Sequence, residues 1–191
     1  TQPDKTANEV ELIHQLFNHE LMKLHIRKPD WSCNEVRQLI QEIDATHHPK
    51  IVIHQYPELL SEYNLAGFHI TQFYKNKIES IRQIIKPNQS LSISCHSFDE
   101  IQQLSNFDYY FISPVFNSIS KKGYESNFSI AEIETGLIKN KDKKIVALGG
   151  INKGNVSRIN ALKFSGAAIL GGLWQAENKT EEWKKIILAV C

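Results

Sequence analysis

The chain has 191 residues, with 22 Lys and Arg against 21 Asp and Glu, 41% hydrophobic residues and a net charge of +1. At this length a globular chain buries about 70% of the surface its unfolded form exposes, so it needs neither disulfides nor a structural metal to fold. Basic residues interleaved with carboxylates throughout set nucleic acid aside as a partner. Cys33, Cys95 and Cys191 form no C-x-x-C pair, which fits a reducing cytoplasm. No apolar run nears the roughly 18 residues of a membrane span, and the start TQPDKTANEV has no apolar signal region, so membrane insertion and export are not expected.

In chain order, stretches of helical period alternate with short apolar runs. A helix is predicted over Ala7–Phe17, then a strand over Met22–Ile26, a helix over Cys33–Ala45 and a strand over Ile51–His54. There follow a helix at Pro57–Tyr63, a strand at Gly67–Ile70, a helix at Ile78–Ile85 and a strand at Leu91–Ser94. The second half predicts a helix at Phe98–Leu104, a strand at Tyr109–Ile112 and a helix at Ile130–Lys139. A strand at Ile145–Leu148, a helix at Asn155–Phe164, a strand at Ala167–Leu170 and a helix at Glu181–Val190 complete the series. Thr6/Glu9, Ser32/Glu35, Ser97/Glu100 and Ser129/Glu132 each have the spacing at which a hydroxyl and a carboxylate cap a helix start reciprocally.

Alternation of this kind is the βαβ signature of a parallel sheet. Eight helices with seven strands predict one further strand before Thr1 and a single (β/α)8 TIM-barrel domain over residues 1–191. An open doubly wound sheet is the rival.

In a (β/α)8 barrel the chemistry sits at the carboxyl ends of the strands. Those ends offer His25, Arg27 and Lys28; His54 and Gln55; Ser94 and His96; and Ser113 leading into a polar loop with Ser118, Ser120, Lys121 and Lys122. The last two strands end in Gly149-Gly150 and Gly171-Gly172, at the recurrent phosphate site of the fold. Tight strand-to-helix turns are the plain alternative for both pairs. His96 is the proton-transfer candidate, against a solvated residue beside a helix cap. His69 reads as a buried strand histidine with its bonds satisfied, and the loop from Val115 to Phe128 is long enough to cover a ligand. Asp or Glu pairs are missing from these ends, so a Mg²⁺ site is hard to assemble and no metal ligand is assigned.

HIRKP, SISCHS, ISPVFNSISKKG, VALGGI and SGAAILGGL, in this order and spacing, resemble the thiamine phosphate synthase/TenI family of (β/α)8 barrels. For the synthases the resemblance implies joining a pyrimidine diphosphate to a thiazole phosphate with loss of pyrophosphate, using Mg²⁺. Matching positions are Arg27 and Lys28 for the diphosphate, Ser94, Ser118, Ser120 and Lys121 around the substrates, and Gly150 and Gly172 at the thiazole phosphate. The chain departs from that pattern with His54-Gln55 in place of an Asn-Asp pair and Tyr74 in place of a second metal Asp.

The TenI branch, similar in its phosphate site and in a histidine within the SCHS segment, fits better. It implies a thiazole tautomerase needing no cofactor, with His96 moving the proton and Arg27 or Lys122 holding the substrate carboxylate. The alternatives are a Mg²⁺-dependent thiamine phosphate synthase, a non-catalytic thiazole phosphate binder and an unrelated phosphosugar isomerase. A phosphorylated thiazole is the expected partner, and a homodimer is left open.

Overall fold

The computed structural model describes residues 1–117 and 128–190. It groups into two compact units, Thr1–Leu91 and Ser92–Cys191. In the first unit the strands are β1 (Leu24–Ile26), β2 (Ile51–Ile53) and β3 (Gly67–Ile70), paired in parallel in chain order. Between and around them lie helices α1 (Glu9–Asn18), α2 (Cys33–Glu42), α3 (Leu59–Glu62) and α4 (Ile78–Ile84), with 3₁₀ turns at Ala45–Lys50 and Gln72–Lys77. A further strand, β4 (Ser90–Cys95), begins in this unit, where the Ser90 amide donates to the Ala66 carbonyl at 2.7 Å.

The second unit continues β4 with β5 (Tyr109–Ile112), β6 (Ile145–Leu148) and β7 (Gly166–Ala168), again parallel and in chain order. Its helices are α5 (Phe98–Gln103), α6 (Ile130–Lys139), α7 (Ser157–Ala161), α8 (Gly171–Trp174) and α9 (Lys179–Val190). The described residues therefore form a parallel α/β arrangement with seven strands, and the expected eighth strand is not among them. No helix among these residues is long and apolar enough to cross a membrane.

The strands are strands because both of their faces are covered. Ile51, Val52 and Ile53 are fully buried, so the run is uniformly apolar and β-branched rather than alternating. Helix α2 instead buries one stripe, Val36, Leu39 and Ile40, at helical spacing. Each such aliphatic side chain contributes about 1.5–3 kcal/mol by leaving water.

Local capping decides two of the four helix starts. Ser32 with Glu35 and Ser129 with Glu132 form complete reciprocal boxes at α2 and α6. At α5 the Ser97 hydroxyl accepts from the Glu100 amide, but the Glu100 carboxylate accepts from the His96 amide instead. The box expected at Thr6/Glu9 does not form: α1 begins at Glu9 itself, behind Asn8 in a left-handed conformation with no side-chain cap. Glu9 turns inward because a buried ammonium claims its carboxylate more strongly than a helix end can.

Three strands are shorter than expected, β2 by one residue, stopping at Ile53. Met22 is 81% exposed and β1 starts only at Leu24, while β7 stops at Ala168 and the chain enters α8, a turn of helix where the sequence suggested only a loop.

Candidate functional site

In the first unit three histidines converge. His25 pairs with Val52 across β1 and β2, and Val52 with Gly67 across β2 and β3. Paired residues share a face and side chains repeat every second residue, so His25, His54 and His69 all emerge from the same face of these strands. His25 Nδ1 lies 2.9 Å from His54 Nε2, and the His54 and His69 rings stack with centroids 4.3 Å apart. His54 and His69 are buried and His25 half-buried.

Burial disfavours charge on these rings. It holds the His69 pKa down to about 3, with the positive charge of Arg27 adding to the effect. His54 and His25 lie well below the usual histidine range for the same reason, reinforced by His69. At neutral pH the trio is therefore three neutral imidazoles. Strand-end position alone picks out His25 and His54; the signal that adds His69 and groups the three is the shared two-residue parity of HIR, IVIH and GFHI.

The neighbouring expectations separate. Arg27 is exposed, its amide donating to the Thr1 hydroxyl at 3.0 Å. Lys28 is fully buried: its Nζ donates to the Asp4 carbonyl at 2.8 Å and to both Glu9 carboxylate oxygens at 2.9 and 2.7 Å, 4.5 Å from the Trp31 ring centroid. Such a placement is at odds with a substrate-binding Lys28, because all three of its N–H bonds are spent inside the protein. Gln55, at a position where the resemblance implies a metal carboxylate, accepts from the Lys28 amide and donates to the Pro29 carbonyl. The Tyr74 hydroxyl accepts from the Tyr56 amide.

In the second unit His96 is exposed just beyond β4, while Ser94 is half-buried inside that strand. The carbonyl of Ser113 accepts from His96 Nδ1 at 3.0 Å, and the Glu100 carboxylate accepts from the His96 amide at 2.9 Å. A carbonyl can only accept, so Nδ1 is the donor, and the neutral tautomer this contact selects has its lone pair on Nε2.

The glycine pairs come together. Gly149 and Gly150 have φ of +93° and +68°, and a Cβ on Gly150 would strike the carbonyl oxygens of Phe116 and Asn117. A Cβ on Gly172 would strike the carbonyl of Ile151, so the Gly171-Gly172 turn packs directly beside the other. The Asn155 side-chain Nδ2 donates to the Gly150 carbonyl at 2.9 Å, fixing the turn. Phe116, Asn117, Gly150, Asn152, Asn155 and Arg158 help line a cleft of about 360 Å³. Ser118, Ser120, Lys121 and Lys122 lie outside the described residues.

Parallel strands with glycine turns and a held histidine at their carboxyl ends define an α/β protein that carries its polar groups where such folds carry chemistry. Residues 1–173 match the family model described as thiamine monophosphate synthase, and the chain belongs to that family. A solved thiamine phosphate pyrophosphorylase from Bacteroides thetaiotaomicron is 30% identical with a TM-score of 0.79, covering 98% of this chain and 93% of its own. One from Pyrococcus furiosus superposes with a TM-score of 0.80 at 16% identity, covering 95% of this chain and 89% of its own, a likeness of fold. The thiamine-phosphate synthase of Lactococcus lactis is 26% identical over 145 residues, 75% of this chain; the match spans 66% of that relative's length.

Proposed function

We propose that the chain is an enzyme of thiamine synthesis that holds a thiazole phosphate and relocates a proton on its ring, with His96 as acid and base. The observation that carries this reading is the His96 geometry. A ring whose Nδ1 proton is committed to Ser113 and whose backbone is clamped by Glu100 presents Nε2 as a fixed acceptor, the arrangement of base and orienting group that proton abstraction requires. Holding the imidazole in one tautomer removes a reorganisation step, and the same Nε2 returns the proton at the second ring position.

The phosphate is assigned to the turns at Gly149-Gly150 and Gly171-Gly172, where the absence of Cβ atoms lets backbone N–H groups approach an anion. Arg158, 5.1 Å from the Phe116 ring centroid, brings positive charge to the adjoining cleft. Ser94 is assigned to the ring in this reading, and the family resemblance assigns Ser118, Ser120, Lys121 and Lys122 to substrate binding as well. His54, Gln55 and Tyr74 are each engaged in the contacts described above rather than offering a carboxylate to Mg²⁺, which supports proton transfer over pyrophosphate loss.

The second reading, a Mg²⁺-dependent thiamine phosphate synthase, is favoured by the names of the Bacteroides and Lactococcus relatives. Both activities are assayed in parallel on purified protein, with His96→Ala as the control. Tautomerisation without added Mg²⁺, falling at least 100-fold in the variant, is the expected result. Coupling that requires Mg²⁺, with no tautomerisation, establishes the second reading instead.

A further inference from the structure

We propose that His25, His54 and His69 form a binding site for a single late first-row divalent metal ion of the zinc type. One ring nitrogen from each lies within 4.8 Å of the other two, on three adjacent parallel strands. Three imidazoles holding one tetrahedral ion at about 2.0–2.1 Å sit roughly 3.4 Å from one another. His25 Nδ1 and His54 Nε2 lie 2.9 Å apart and none of the three separations exceeds 4.8 Å, so the trio brackets that spacing.

The donor set fixes the class of ion. Imidazole nitrogens suit zinc, copper, nickel and iron, whereas Mg²⁺ demands oxygen ligands and keeps its water. The site therefore differs in chemistry from the carboxylate site that the family resemblance implies. A metal takes histidine in its neutral form, through a ring nitrogen's lone pair. In the free protein one proton is shared between His25 and His54. When the ion takes both lone pairs, that proton moves to the far nitrogen of its own ring and none is lost to solvent. Half-exposed His25 provides the way in. Three protein ligands leave the fourth position of a tetrahedron for water or a small anion, as in open zinc sites.

The inference is independent of the proposed function: it shares no residue with His96 or the glycine turns, and its readout is binding rather than turnover. Chelator-treated full chain is equilibrated with Zn²⁺, and separately with Co²⁺ for its visible spectrum, alongside His54→Gln/His69→Gln. A second control is His14→Ala/His47→Ala, which removes the other histidine pair, whose ring centroids are 5.8 Å apart. The expected result is one saturable equivalent with a tetrahedral Co²⁺ spectrum in the wild type and in the His14/His47 variant. Affinity then falls at least about 100-fold in the His54/His69 variant, with the far-ultraviolet dichroism unchanged. Should that variant not fold, His25→Gln on the half-exposed ring carries the same expectation. The absence of saturable binding in the wild type, or binding that survives loss of the trio's histidines, overturns the proposal.

Discussion

At Lys28 an ammonium group has exchanged water for a carbonyl and two carboxylate oxygens. A buried pair of this kind gains little over an apolar pair of the same volume, yet removing one partner strands the other charge. Lys28→Met should therefore cost about 3–5 kcal/mol in urea unfolding, and Glu9→Leu/Lys28→Met should recover most of it. If instead Lys28→Met left stability intact and raised KM, its ammonium would belong to the ligand site. At His96 the same logic acts in the open: Glu100 gives up the reciprocal half of its helix cap to hold the His96 amide, so a capping residue becomes a positioning one. Neither outcome could be read from the local sequence. Thr6/Glu9 and Ser97/Glu100 have the same spacing as the two boxes that do form, and what diverts each carboxylate is a partner outside the box.

Among the elements, the turn between β6 and α7 is the most demanding. Gly150 combines a left-handed φ of +68° with backbone oxygens where a Cβ would sit. Gly150→Ala should lower stability by about 1–3 kcal/mol and distort the adjoining cleft. At Gly166, at the start of β7, a Cβ would meet nothing within 4 Å. Gly166→Ala should therefore stay within about 1 kcal/mol of the wild type, any gain coming from restriction of the unfolded chain. Thermal melts of the pair check this: equal losses would mean the β6–α7 turn is no tighter than an open strand position. The helices and strands themselves were legible because their causes are local. Period, apolar runs and complete caps located α6, β3, β5 and β6 at their observed bounds, whereas α2 ended at Glu42, before an extended Ile43 and a separate 3₁₀ turn from Ala45 that contains Pro49.

For the whole molecule the histidine trio makes stability depend on pH. An unfolded histidine binds its proton near pH 6.5, while His69 in the folded protein resists until about pH 3. The unfolded state therefore holds more protons in between, and stability present above pH 6.5 is lost as pH falls, by about 1.4 kcal/mol per pH unit for each such ring. His25 and His54 act in the same direction, as do the nearby positive charges of Lys23 and Arg27. Urea unfolding between pH 6.5 and 5, above the range of ordinary carboxylates, should show this slope, and His69→Gln should flatten it by about one proton; a flat wild-type profile would mean the rings charge freely in the fold. The sequence by itself determined the βα alternation and the parallel sheet that alternation implies, because both follow from spacing along the chain, while the resemblance of its motifs pointed to the family. Only the tertiary structure decided that Lys28 is buried on Glu9, that Glu100 holds His96, and that three histidines 15 to 44 residues apart share one strand face. Cross-strand register and the burial of charge depend on which distant segments meet, and no local pattern carries that information.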